Sequence, residues 1–238
     1  MLKNFKLLIA ITYIICLSIL LYAIFSYFDL RELTSYTFIK DNSSALIDFK
    51  NNNLILSIVG FLVFSFLWVL FLGFGSLIAI LSGYIFGVWA GTIISVVSMA
   101  AGSTALYFLA RMYFAEFIIE KLSKKIEKYQ KFFNKNEFLY FMLFRFTGGA
   151  GIPFAIQNIL PVIFNMKLKN YFYASLLGLI PSIFIINSLG SGIEKLIENN
   201  TNIDLQSIIS DRGIYLPLIG FFTILVVSYF IKKKVFKN

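Results

Sequence analysis

Apolar and charged residues are sorted into blocks along this chain. Residues 7–28 form an apolar run behind Lys3 and Lys6, and 54–110 hold no charge at all. The stretch 138–166 holds one charge, and 171–190 and 214–231 are apolar again. A helix crosses the ~30 Å hydrocarbon layer in about 20 residues, so this block pattern predicts an all-α polytopic membrane protein, a single membrane domain over 1–238. The first run lacks an A-x-A-like cleavage site, which predicts an uncleaved span.

Two of the blocks have the wrong length for simple crossings. The 54–110 block is too long for one, and "GFG" (73–75) and "FGVWAG" (86–91) divide it into pieces of which the middle one is short. The 138–166 block is broken by "TGGAGIP" (147–153), leaving arms too short to cross. Between the two blocks, 111–137 carries Phe114, Ile118, Leu122, Ile126, Tyr129 and Phe133 at helical spacing with lysines largely between them. That pattern predicts an amphipathic helix in the interface of an anionic leaflet, with an exposed linker helix as the alternative.

Charge then orients the blocks. The N-terminus, 111–137, 167–169 and the C-terminal tail hold 15 of the 21 basic residues, whereas the polar loops 29–53 and 191–213 hold five basic and eight acidic ones. The positive-inside rule places the first set in the cytoplasm and the second outside. The block 138–166 therefore begins and ends on the cytoplasmic side, as a re-entrant hairpin followed by a span within 138–190. By parity 54–110 crosses an odd number of times. A hairpin at 54–89 entering from outside, then a span at 91–110, satisfies this, and so do three full crossings. The expectation is an inverted repeat of re-entrant hairpin plus span, about four full spans, N-in/C-in. Inverted repeats with broken helices meeting near the midplane are a transporter architecture.

Composition narrows the chemistry. Mean hydropathy is +0.83, and 28 of 238 residues are Phe, so lipid is the main solvent. His is absent and Cys16 is the one cysteine. This argues against His-dependent hydrolysis, haem ligation by His and Cys/His metal sites; no cofactor, no metal and no enzymatic activity are expected. The formal charge of +9 follows membrane topology, so nucleic acid is not an expected partner.

The candidate site is "FRFTGGAGIPF" (144–154). Irregular backbone at membrane depth is tolerated where protein buries it or a wet cavity lines it. Gly148, Gly149 and Gly151 admit left-handed dihedrals and close approach, and Pro153 suits the first turn of the returning arm. Exposed amides at that arm's start and the Arg145 guanidinium favour an anion. Gln157 and Asn158 either line the cavity or pair across the break. Arg145 snorkelling to the interface is the competing reading. Gly73, Gly75, Gly83, Gly87, Gly91 and Gly102 are read as hairpin or packing positions, Gly178 and Pro181 as a kink, and Arg111 as an anchor at the inner interface.

These residues resemble the DedA superfamily, also called the VTT-domain or SNARE-associated Golgi protein family. The matching stretches are "LSGYIFGVWAGTIISVVSMAAGSTALYFLAR" (81–111), "FRFTGGAGIPFAIQN" (144–158) and "NYFYASLLGLIPSIFIINSLGSGI" (170–193). The resemblance implies two opposed re-entrant hairpins and movement of lipids between leaflets, phospholipids or undecaprenyl phosphate among them. Two departures stand out. Pro153 follows Arg145 by eight residues where the family commonly has it sooner, and 51–115 contains no Asp or Glu where many bacterial members carry carboxylates. The expected function is a flippase or scramblase for phosphate-bearing membrane lipids, located in the bacterial plasma membrane. A small-anion transporter or channel and a non-transporting assembly factor are the alternatives. Homo-oligomerisation stays open.

Overall fold

The computed structural model describes residues 45–198 throughout, 11–19, and single or paired positions at 8, 22, 26, 212, 215–216, 219–220, 222–223 and 226. Ten residues of the expected first span (7–28), the loop stretches 29–44 and 199–211 and most of the last span (214–231) lie outside the described residues. The described elements are all helical: α1 (Leu54–Leu72), α2 (Ser76–Asn134), α3 (Glu137–Phe146), α4 (Phe154–Ile159), α5 (Leu168–Gly178) and α6 (Ile180–Glu198), with 3-10 turns at Gly148–Gly151 and Leu160–Phe164. The chain is an all-α membrane protein. Helices Leu54–Leu72 and Ser76–Tyr113 are long and apolar enough to cross, and Leu168–Gly178 with Ile180–Glu194 makes a third candidate if the bent pair counts as one span.

The apolar surface agrees with lipid as solvent. Along α1, Leu54, Ile55, Leu56, Val59, Val63, Phe64 and Leu67 are exposed, Ile55 to 79%. In water such a face would be an aggregation surface; in a bilayer it is the ordinary outside of a span.

α2 is not one rod. A straight helix separates residues nine apart by about 13.5 Å along its axis. Yet the Ser82 hydroxyl donates to the Gly91 carbonyl at 3.0 Å, and the Met99 side chain lies against Gly75. The pairs 75–99 and 82–91 centre on Gly87, whose φ of 75° and ψ of 179° lie in a region essentially reserved for glycine. The chain therefore reverses there, and residues 76–86 and 88–113 are antiparallel. Residues 76–86 span about 16 Å at the helical rise, half of a bilayer core. Gly102 sits against Phe66 and Val69, and Phe61 meets Phe86 edge-on at 5.4 Å, so α1 runs parallel to 88–113 with the short arm between the two turns.

The second half repeats this plan. α3 is started by Asn136, whose side chain accepts from Leu139 N–H at 3.3 Å, as an N-cap does. The chain turns at 147–153 and returns through α4. Asn165, at φ 50°, ends the return in the left-handed conformation that Asn tolerates. α5 and α6 form the bent span, with a 43° change of direction between Gly178 and Pro181. The two repeats are antiparallel where their spans pack, Tyr107 on Tyr171 near one end and Trp89 on Phe184 near the other.

Small residues set the helix spacing, as expected where lipid supplies no hydrophobic drive between helices. A methyl on Gly83 would overlap the Asn187 backbone, and one on Gly190 would overlap the Ile80 carbonyl. Several hydroxyls bond back within their own helices, Thr92 to Val88 O, Ser98 to Ile94 O and Thr104 to Ala100 O. The backbone after Arg111 continues helical to Asn134. The side chains of 114 and 116–129, which carry most of the expected amphipathic stripe, lie outside the described residues, while Phe133 stacks on Phe164 at 4.5 Å.

Gly83→Ala is expected to cost about 1–3 kcal/mol through overpacking, seen as a lower thermal midpoint in detergent. Gly60→Ala, whose methyl meets nothing within 4 Å, is expected to leave the midpoint unchanged.

Candidate functional site

The tips of the two hairpins touch. A methyl on Gly73 would lie 2.8 Å from Ala155 Cβ, and one on Gly75 would lie 3.4 Å from the Phe154 ring. The first break (73–75) thus abuts the start of the second hairpin's return arm. This contact places irregular backbone from both repeats against protein, which satisfies the membrane constraint on it.

Arg145 lies at this junction with no solvent exposure, which excludes the snorkelling arrangement. Its Nη1 donates to Gln157 Oε1 at 3.1 Å, and its Nη2 donates to Asn158 Oδ1 at 2.6 Å and Tyr171 Oη at 2.9 Å. The rings of Phe154, Phe141 and Tyr171 pack around the guanidinium, 4.9, 5.0 and 5.9 Å from its carbon. A cation so enclosed loses hydration, which hydrogen bonds from a charged donor (about 1.5–3 kcal/mol each) and cation–π contacts (about 2 kcal/mol when desolvated) offset in part. All its partners among the described residues are neutral. Two donors remain buried without an acceptor, Arg145 Nε and Asn158 Nδ2. The Asn158 amide orientation is fixed because its oxygen already accepts from Arg145.

The glycine run shapes the turn. Gly148, Gly149 and Gly151 all have positive φ, 67°, 72° and 81°, and a side chain at Gly149 would occupy the place of the Gln157 amide. Gln157 spans the break, donating to Gly148 O at 3.2 Å and Ile152 O at 2.6 Å while accepting from Arg145. Asn158 is likewise buried and paired with Arg145. Pro153 precedes α4 as its N-cap residue instead of occupying the first turn, and with Gly151 it is exposed. The structure therefore gathers Arg145, Gly149, Gln157 and Asn158, and leaves Gly151 and Pro153 on the outside of the turn. Gly178 lets α5 pass close behind Arg145, since a methyl there would lie 2.6 Å from Arg145 Cβ and Met142 O.

Several residues that sequence reading passed over complete the frame. Tyr171 bridges Arg145 and Asn158 O, donating to the latter at 3.3 Å, and stacks on Tyr107 at 4.4 Å and 5°. Tyr107 in turn donates to Met166 O at 2.6 Å, the carbonyl that Arg111 Nη1 also reaches at 3.3 Å. Glu137 is buried and accepts from Lys167 N–H at 3.2 Å and Asn170 Nδ2 at 2.6 Å, tying the base of the hairpin to the start of α5. Buried Asn187 faces Gly91 with its Oδ1 unpaired. The signal available in sequence was a Tyr, Glu or Asn beside an apolar run, too common to single out.

The architecture and the buried arginine define a polytopic helical membrane protein with two opposed broken-helix units. Residues 73–192 match the VTT domain, and the chain belongs to this family, the DedA superfamily. The match begins at the first hairpin tip and ends within α6, so it covers the return arm, both spans and the second hairpin. The chain is 32% identical over 118 residues to the uncharacterized protein YqeD of Bacillus subtilis (strain 168), covering 49% of this chain and 56% of that protein. It thus spans little more than half of YqeD. It is 26% identical over 178 residues to the transmembrane protein 41 homolog of Caenorhabditis elegans, covering 73% of this chain and 72% of that one. No solved structure matches.

Gln157→Leu removes both donors that brace the turn and leaves Arg145 Nη1 unpaired. The expected loss is about 1–3 kcal/mol per orphaned group, read as a lower thermal midpoint together with faster hydrogen exchange at 147–153.

Proposed function

We propose that this protein moves lipids with anionic, phosphate-bearing head groups between membrane leaflets, as a flippase or scramblase of the bacterial plasma membrane, without an enzymatic step. One observation carries the reading. At the junction of the hairpin tips a buried cation is left with neutral partners, and the two unpaired polar atoms beside it, Arg145 Nε and Asn158 Nδ2, are both donors. Intramembrane ionisable groups are functional by default, and two spare donors beside a spare positive charge are the complement of an anionic oxygen. An excess of acceptors there would have indicated a cation.

In the described arrangement the site is closed. Phe154 both covers the guanidinium and meets Gly75 of the opposite tip, so a head group reaches Arg145 when the tips separate and the Phe154 ring leaves the guanidinium. A head group entering between the tips meets Arg145 and Asn158 while its tails stay in lipid. The second repeat's neutral frame of Gln157, Tyr171 and Asn158 holds the guanidinium without neutralising it, which a carboxylate partner would do.

The test is transbilayer movement in liposomes containing the full chain, using undecaprenyl phosphate and phosphatidylglycerol as probes. Movement is expected, and Arg145→Met is expected to slow it at least about tenfold, the value of one charge-assisted bond. Asn158→Asp, which supplies an internal counter-ion, is expected to slow it similarly with the thermal midpoint held or raised. Absence of movement with folded protein, or Asn158→Asp moving lipid at the parent rate, overturns the proposal. Uptake of inorganic phosphate without lipid movement would assign the site to a water-soluble anion.

A further inference from the structure

The buried arginine has a shallower counterpart. Arg111 ends the apolar part of α2 and is half-buried. Among the described residues its Nη1 donates to Met166 O at 3.3 Å, a neutral partner, and none of its N–H groups is a buried atom left without a partner. Lys167 and Lys169 are exposed nearby, at the start of α5. The one carboxylate at this end of the hairpin with a described placement, Glu137, is already held by Lys167 N–H and Asn170.

An open apolar groove of about 450 Å³ lies along α2 in the turns before Arg111, lined by Ala101, Thr104, Ala105 and Phe108 of α2 and by Leu168 and Phe172 of α5. Residues 101, 104, 105 and 108 follow the i, i+3, i+4, i+7 spacing of one helix face, and 111 is the next step on that stripe. From 101 to 111 the helix rises about 15 Å, half of the ~30 Å hydrocarbon core, the depth of one leaflet's acyl chain. A half-buried cation thus follows the apolar groove on the same helix stripe.

The groove also has an inner neighbour. Tyr107 and Phe172 adjoin its lining in sequence to Tyr171, and the stacked Tyr107–Tyr171 pair stands between Arg111 and Arg145. Tyr107 shares Met166 O with Arg111, and Tyr171 accepts from Arg145. The shallow and the buried guanidinium are therefore linked through one carbonyl and two stacked rings.

We infer that Arg111 and the 101–108 groove form a second lipid site, a capture station that takes one anionic phospholipid from the bilayer, its head group on Arg111 and an acyl chain along the α2–α5 groove. The inference deepens the transport reading and rests on it for its purpose, but the site itself is testable by binding alone. Charge selects the occupant: a neutral or cationic amphiphile would bring no negative charge to half-buried Arg111 and the exposed Lys167 and Lys169.

The experiment places a reporter in the groove with Phe108→Trp in the full-length protein, reconstituted in phosphatidylcholine nanodiscs. Quenching by acyl-brominated phosphatidic acid is compared with acyl-brominated phosphatidylcholine, after subtracting the parent protein. Phosphatidic acid is expected to reach half-maximal quenching at a mole fraction about tenfold lower, the equivalent of one charge-assisted contact. Arg111→Gln retains an amide donor for Met166 O but no charge, and is expected to abolish the preference. Arg111→Lys is expected to retain most of it. Equal quenching by the two lipids, or a preference that survives Arg111→Gln, overturns the capture station. If the preference is present while liposomes show no lipid movement, the site stands and the transport reading falls.

Discussion

A guanidinium kept away from water must be satisfied by the protein that encloses it, and much of the second hairpin's irregularity follows from that demand. Arg145 draws three acceptors from two elements, Gln157 and Asn158 on the return arm and Tyr171 on the following span. To present Gln157, the turn must bend tightly enough that Gly149 has no room for a side chain. To bring Tyr171 within reach, α5 must pass behind Arg145 at Gly178. The glycines, the amide side chains and the kinked span are thus one solution to a single electrostatic problem, which a carboxylate would have solved more simply. The choice of neutral partners leaves the charge uncancelled.

The first repeat obeys the same constraint without a charge. Its breaks at 73–75 and at Gly87 leave backbone groups away from regular helix, and it meets the need with packing and local hydroxyl bonds, such as Ser82 to Gly91 O. The tips then serve each other: Gly73 and Gly75 offer the flat surface on which Ala155 and Phe154 rest. Because Phe154 also caps the guanidinium, the contact that seals the irregular backbone is the same one that closes the site. Access and structural integrity are coupled through that ring.

The two arginines differ in a way that suits a path. Arg145 is enclosed by neutral partners with its Nε left over, whereas Arg111 is half-buried with a carbonyl partner. Between them the tyrosine pair is anchored at both ends, by Met166 O and by Arg145, so it holds the two repeats in register where their spans cross. Glu137 fixes the base of the same hairpin to α5.

The all-helical membrane class and the positions of the chain breaks were legible in the sequence, because blocks of charge, glycine and proline report directly on what a bilayer tolerates. The turn at 147–153 and the bend between Gly178 and Pro181 fall where glycine and proline sit, for the local reason that these residues cannot hold a regular helix. Tertiary structure alone decided who meets whom. Nothing local in the chain joins Gly83 to Asn187, Tyr107 to Tyr171, or the 73–75 tip to Phe154, since each contact depends on how two distant segments pass in space. For the same reason the sequence could leave Arg145 either at the interface or inside: helical rise sets depth along an axis, but only the surrounding packing decides whether water reaches the end of the side chain. Sequence spoke for what each segment can be, and the fold for which polar atoms were left over.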